Sequence, residues 1–266
     1  MNTSVADTTR TNTLNHHRIV SGERWLAERK ALLAREKELM RLHDQIARER
    51  RALPWQRVEK DYAFDTPQGR RTLPDLFEGR RQLIVQHFML GPGWEQGCPS
   101  CSYMADHTDG MNVHLAHRDI TMVAISHAPL AEIERFHRRM GWRFKWASAF
   151  GSDFNHDYAV SFTPEEIAKG EVRYNYGLTP FSGEEAPGIS VFYKDDAGAV
   201  FHTYSTFGRG VEAMMLAYDL LDMAPKGRDE EQMSYPMEWI RHHDRYAPAA
   251  VSAPASSTSS CCASRA

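Results

Sequence analysis

Cysteine is scarce, with four residues in a chain of 266. That excludes a disulfide-stapled miniprotein, in which cross-links stand in for a core the chain is too short to build. Long apolar runs are missing too. The longest, Leu83-Ile84-Val85 with Phe88-Met89-Leu90, is interrupted by Gln86 and His87, far short of the roughly 20 apolar residues of a membrane span. Neither sign of charge dominates, since 32 Lys and Arg face 35 Asp and Glu for a formal net charge of −3. No strong field draws nucleic acid or acidic lipid, so nucleic acid and membrane are not expected partners. Met1 to Val20, rich in Thr and Asn, lacks the apolar stretch of a signal peptide, and a cytoplasmic protein is expected. No Gly-rich dinucleotide fingerprint follows any strand-like segment, and no cofactor is expected.

What is present is ordinary globular composition, 42% hydrophobic and 25% charged, enough to bury a sizeable core in one or two domains. Residues 1–20 and 247–266 read as disordered tails, because small polar residues and Pro bury too little apolar surface to offset chain entropy. Between them, 21–54 reads as a helical arm and 55–246 as the main domain. Ser21 caps the arm, and no Pro follows until Pro54. Trp25, Leu32, Leu39, Ile46 and Leu53 recur at seven-residue spacing, the mark of a long amphipathic helix of about eight turns. Such a narrow stripe packs on its own domain or on a second copy of the chain, making a homodimer through this helix a possible assembly. Ten Arg and Lys are interleaved with six Asp and Glu between residues 23 and 57, which argues against a nucleic-acid face.

In the main domain, Gln82 to Leu90 and Ile120 to Ser126 read as buried strands. Helices are expected from Pro99 to about Ala116, over Pro129–Met140 and over Val211–Met223, with a third strand near Phe144–Phe150. Asp195-Asp196-Ala197-Gly198 predicts a hairpin between Ile189–Tyr193 and Ala199–Tyr204. This order, β-α-β-α-β followed by a β-hairpin and then α, predicts an α/β fold, a mixed central sheet with helices on both faces.

The chemistry centres on Cys98-Pro99-Ser100-Cys101, which follows a strand and a Gly91-Pro92-Gly93 loop and opens a helix. Unpaired N–H groups and the positive dipole end at a helix start favour a thiolate at Cys98. Cys101, one turn deeper, is suited to attack a mixed disulfide formed there. Glu95, three residues earlier, would oppose the thiolate if its carboxylate pointed inward. The other cysteines, Cys261-Cys262, are adjacent rather than spaced and make a poor second half of a zinc site. A mononuclear metal could recruit His107, His114 or His117, and a soft-metal carrier for Cu(I) or Zn could use the two thiolates alone. Gly151 to Tyr158, including Asp153, either lines a groove beside the dithiol or closes an Asx-type turn. His87 is either a proton shuttle for the second thiol or a core histidine.

Several segments resemble a known family. Leu53-Pro54-Trp55, Val58-Glu59-Lys60-Asp61-Tyr62, Gly91 to Cys101, Arg139-Met140-Gly141-Trp142, Gly151 to Asn155, Val191-Phe192-Tyr193 and His202 to Thr206 are similar to the bacterial, thioredoxin-like family catalogued as domain of unknown function 899. The resemblance runs from about Ser21 to Tyr246. It implies a thioredoxin-like fold and a dithiol–disulfide oxidoreductase, with Cys98 as nucleophile and Cys101 as resolving thiol. A thiol or disulfide substrate and an external reductant would be its partners. The supporting candidates are Trp94, Pro99, Asp153 and Pro187. Gly97 stands where thioredoxins carry Trp, with Trp94 four residues before Cys98. Pro187 is the nearest counterpart of the thioredoxin cis-proline, and a trans turn proline is the expected reading. A thiol peroxidase is the alternative on the same fold, but Gly91 and Glu95 occupy the Pro and Thr positions of the peroxiredoxin frame.

Overall fold

The computed structural model describes residues 17–247; the expectations for 1–16 and 248–266, Cys261 and Cys262 among them, lie outside the described residues. Contacts divide the chain into two units between Pro54 and Trp55. The first holds helix α1, Gly22–Arg51. Its start follows from the sequence: Ser21 is extended, its side chain accepts the Arg24 N–H, and Glu23 meets the dipole. Arg48, Arg50 and Arg51 complement the other end. The heptad residues stay exposed, Trp25 at 60% and Leu39 at 68%.

The second unit runs β1 (Gln56–Arg57), β2 (Ala63–Thr66), β3 (Gly69–Thr72), β4 (Gln82–His87), α2 (Pro99–Thr108), α3 (Asn112–His117), β5 (Ile120–Ser126), α4 (Leu130–Met140), β6 (Lys145–Ser148), α5 (Phe154–Asp157), α6 (Pro164–Ile167), β7 (Glu171–Tyr174), β8 (Gly177–Pro180), β9 (Gly188–Lys194), β10 (Val200–Phe207) and α7 (Leu216–Met223). Eight strands form one sheet in the order β1-β10-β9-β4-β5-β6-β2-β3. The β4–β5 and β5–β6 pairs are parallel, and β9 joins β4 antiparallel with Gly188 opposite His87. The β4-α2-β5-α4-β6 succession followed by the β9–β10 hairpin is the expected thioredoxin-like mixed sheet.

Alternation along β4 divides the core. Leu83 and Val85 face a cluster with Phe64, Leu76, Phe77, Phe154 and Phe192. Ile84 and Phe88 face the other, where Met104 of α2, Phe136 of α4 and Tyr218 of α7 pack with Trp142 and Trp146. The long helices therefore cover one face, and α5 with the 3-10 turn Pro74–Phe77 covers the opposite one.

Two expected helices are shorter than the pattern implied. The helix from Pro99 ends at Thr108, not Ala116: Asp109 still closes on Ala105 O, but its carboxylate accepts the backbone N–H groups of Arg143 and Phe144 at 2.7 and 2.9 Å, and helix resumes only at Asn112. The Val211–Met223 helix begins only at Leu216, after 3-10 turns over Gly208–Met214. His107 Nε2 accepts the Ala217 N–H at 3.2 Å and caps this later start.

Candidate active site

β4 delivers the chain to the carboxyl edge of the sheet, and the next eleven residues, 88–98, return it to the start of α2. Cys98 is the N-cap, extended at φ −56° and ψ 131°, and Pro99 occupies the first turn, where its missing N–H costs nothing. Cys98 donates its N–H to Met89 O at 3.0 Å. Its own carbonyl accepts both the N–H and the hydroxyl of Ser102, at 3.0 and 2.9 Å. Cys98 is half-buried, while Cys101 is wholly buried, its carbonyl accepting from Gln86 Nε2 at 3.3 Å.

The two sulfurs titrate as a pair. The Cys101 thiol donates to the Cys98 sulfur, and the N–H groups of Cys101 and Ser100 and the Ser100 hydroxyl add to it. Burial opposes them, and the net effect lowers Cys98 from 9.0 to about 7. The shared hydrogen bond and full burial push Cys101 well above its ordinary value. One thiol is thus poised as thiolate and its neighbour held as the proton donor. Glu95 is exposed, and the groups acting on Cys98 are the helix-start donors.

Of the supporting candidates, Trp94 is in this loop, its N–H bonded to Gly91 O at 3.2 Å. A Cβ on Gly91 would lie 3.1 Å from its indole nitrogen, so any side chain there would push the ring back by a few tenths of an ångström. Pro187 precedes Gly188 at the same sheet edge, its peptide bond is trans, and its carbonyl accepts the Tyr174 hydroxyl at 2.8 Å. Asp153 is drawn elsewhere, to an ion pair with Lys60 at 2.6 Å. His114 and His117 are exposed on α3, and His107 is committed to Tyr103 O and Ala217. Among the described residues no group of three or more His, Cys, Asp or Glu is gathered to hold a metal.

Sequence reading missed a buried acid at this edge. Glu185, 2% exposed, accepts from the Ser161 hydroxyl at 2.7 Å and contacts His127 Nδ1 at 3.2 Å. It lies beside Gly91, 3.5 Å from where that residue's Cβ would be, and its charge adds to the upward pressure on Cys101. No spacing links position 185 to the dithiol; the isolated bridge between Ser161 and Glu185 brings it in.

His87 is a core histidine on the opposite face from Gln86. Nε2 bonds the Ser190 hydroxyl at 2.8 Å, and the chain continues through Ser205 to His202 at 2.8 and 2.7 Å. Burial, with a smaller contribution from His202, drives His87 down to about 3. The unfolded chain takes up a proton near 6.5 that the folded one refuses until about 3, so stability falls as pH drops through this window. Between pH 7 and 5 the protein should lose about 2 kcal/mol more than a His87→Gln variant. Urea unfolding at the two values checks this, and equal losses would refute a neutral buried ring.

A cavity of about 820 Å³ lies on that far side, lined by Val58, Tyr62, Tyr158, Arg173, Tyr176 and His202 among others, and neither cysteine reaches it.

The dithiol geometry sits within a stretch matched by the model of a family described as a bacterial protein of unknown function, DUF899, over residues 14–246. The chain belongs to that family. No curated protein matches it. Among solved structures it is similar to the peroxidoxin BcpB from Mycobacterium tuberculosis, at 14% identity, covering 62% of this chain and 97% of that one with a TM-score of 0.41. A protein assigned as thiol:disulfide interchange protein DsbE from Chlorobium tepidum gives 14%, 62%, 97% and 0.38. A mutant peroxiredoxin Q from Xanthomonas campestris gives 11%, 59%, 90% and 0.37. No functional assignment rests on likenesses this distant. No helix among the described residues is long and apolar enough to cross a membrane.

Proposed function

We propose that this DUF899 protein is a thiol–disulfide oxidoreductase. The carrying observation is the placement of the pair: Cys98 half-buried as the N-cap of α2, and Cys101 wholly buried one turn deeper, where its thiol lowers Cys98. The Cys98 thiolate attacks one sulfur of a substrate disulfide, forming a mixed disulfide and expelling a substrate thiolate. Cys101 gives up its proton and attacks Cys98 Sγ, releasing the second substrate thiolate and closing the Cys98–Cys101 disulfide. The substrate gains two electrons, and an external dithiol or small thiol returns them to the protein.

The test is titration against a series of thiol/disulfide buffers, with Cys261 and Cys262 replaced by Ser. A two-electron transition that needs both Cys98 and Cys101 is expected, and failure to form that disulfide at any poise would end the reading. A Cys101→Ala variant should retain substrate covalently on Cys98. Rapid second-order oxidation of Cys98 by hydrogen peroxide, or copurifying metal dependent on both thiols, would reassign the site to a peroxidase or a soft-metal carrier.

A second copy of the chain is the partner proposed for the α1 stripe, since Trp25, Leu32, Leu39, Ile46 and Leu53 recur at the seven-residue spacing of paired helices. Deleting residues 1–50 should leave a monomer by light scattering; a truncated chain that keeps the parent's oligomeric state removes the dimer through this helix.

A further inference from the structure

We propose that His242 is a positioning residue for the Cys98 nucleophile, the centre of a clasp formed by three consecutive residues near the carboxyl end. The inference rests on the thiol–disulfide reading and names a residue that no motif marks.

Its basis is one peptide plane. The peptide joining Gly97 to Cys98 is held at both ends: the Cys98 N–H donates to Met89 O at 3.0 Å, and Gly97 O accepts from His242 Nε2 at 2.8 Å. The carbonyl cannot donate, so Nε2 carries the proton. Nδ1 then faces Arg139 Nη2 at 3.4 Å as an acceptor, because a guanidinium only donates. The imidazole is 3% exposed and packs edge-on against Phe136, ring centres 5.3 Å apart. With this plane held at both ends and the Cys98 carbonyl held by Ser102, the direction in which the Cys98 side chain leaves the backbone is set, and so is where Sγ meets the N–H groups that start α2.

The neighbours of His242 grip the elements on either side. His243 Nδ1 bonds Asp106 of α2 at 2.7 Å, and that carboxylate also accepts from Trp142 Nε1 at 2.7 Å. Asp244 takes a two-pronged contact from Arg139 of α4, 2.9 Å at both oxygens, and Arg139 reaches back to Gln96 Oε1 at 3.0 Å. Loop, dithiol helix and α4 are thus tied together through residues 242–244. Gly97 has no slack: a Cβ there would sit 2.5 Å from Phe88 and 2.8 Å from Phe136. The loop rests on those rings from one side while His242 holds its carbonyl.

The experiment compares two substitutions of similar bulk in the full chain. His242→Phe fills the space without a donor, and His242→Gln keeps an amide N–H within reach of Gly97 O. The readout is the pH midpoint of Cys98 alkylation, followed on the Cys98 peptide by mass spectrometry, with unfolding measured in parallel. His242→Phe should raise the midpoint by about one unit, reducing the Cys98 thiolate at pH 7 about fivefold. His242→Gln should stay close to the parent. Equal midpoints in both variants, shifted or unshifted, would overturn the inference, since packing alone would then explain the residue. A parent midpoint at the ordinary thiol value would instead bring down the thiol–disulfide reading. Should His242→Phe fail to fold, Arg139→Gln, which removes the partner of Nδ1 and of Asp244, takes its place with the same expected rise, and an unchanged midpoint there overturns the inference.

Discussion

Replacing Cys98 with Ser should remove all fast alkylation by iodoacetamide at pH 7, slowing incorporation at the dithiol about a hundredfold, while Cys101→Ser should leave it largely intact. The magnitude comes from the surviving thiol. Cys101 is completely buried, and burial alone still pushes its thiol up and screens it from reagent once the Cys98 sulfur is gone, so little of it reacts as thiolate at pH 7. Cys98, near 7, is about half ionised. A low pKa also weakens a thiolate as nucleophile: with a Brønsted slope of about 0.4–0.5, the roughly fifteenfold gain in thiolate over a free thiol shrinks to about threefold in rate. Rate at one pH is therefore a poor witness, and the midpoint of the pH–rate profile decides. It should lie near 7 in the parent and stay low in Cys101→Ser, whose hydroxyl can still donate to Cys98. In Cys101→Ala it should rise, because the largest single cause of the depression has gone. A common midpoint for all three chains would show that Cys101 does not shape the nucleophile.

Apolar runs of strand length and turn chemistry made the centre of the fold legible. Leu83 and Val85 against Ile84 and Phe88, Asp195–Gly198 between two apolar runs, and Pro99 after Cys98 each state a local preference that the tertiary structure keeps. The β7–β8 hairpin was not legible. Its two-residue turn needs left-handed backbone at Asn175 and Tyr176, φ 50° and 66°, and a tyrosine stands where Gly is the usual signal. The end of α2 and the start of α7 were misplaced because side chains distant in sequence, Asp109 reaching Arg143 and Phe144 just before β6 and His107 reaching Ala217, outweigh periodicity. The candidate site divides in the same way. Cys98, Cys101 and Pro99 could be read from four consecutive letters. Glu185 and His242 arrive from 84 and 141 residues beyond Cys101, by a bridge and a clasp that leave no spacing to read.

Truncating Phe88 should produce a large loss of stability and should also be felt at the dithiol. The ring is 1% exposed, with Trp146 at 4.4 Å, Trp142 at 6.0 Å and Phe136 at 6.4 Å between ring centres. Deleting a buried phenyl costs about 3–5 kcal/mol through lost transfer free energy and the cavity left behind. In a domain of this size that corresponds to a fall in Tm of about 6–20 °C. Phe154→Ala is the informative control. That ring is equally buried but lies in the cluster on the other face of the sheet, against Tyr62, Phe64 and Tyr158. Both variants should lose similar stability in urea unfolding. Only Phe88→Ala removes the surface on which Gly97 rests, the nearest ring atom being 2.5 Å from the position of a Cβ. The Cys98 alkylation midpoint should therefore rise in Phe88→Ala and hold in Phe154→Ala. A loss below about 1 kcal/mol would show that the aromatic cluster collapses around the gap. Equal midpoint shifts in both would mean that Cys98 responds to global loosening rather than to the ring beneath its loop.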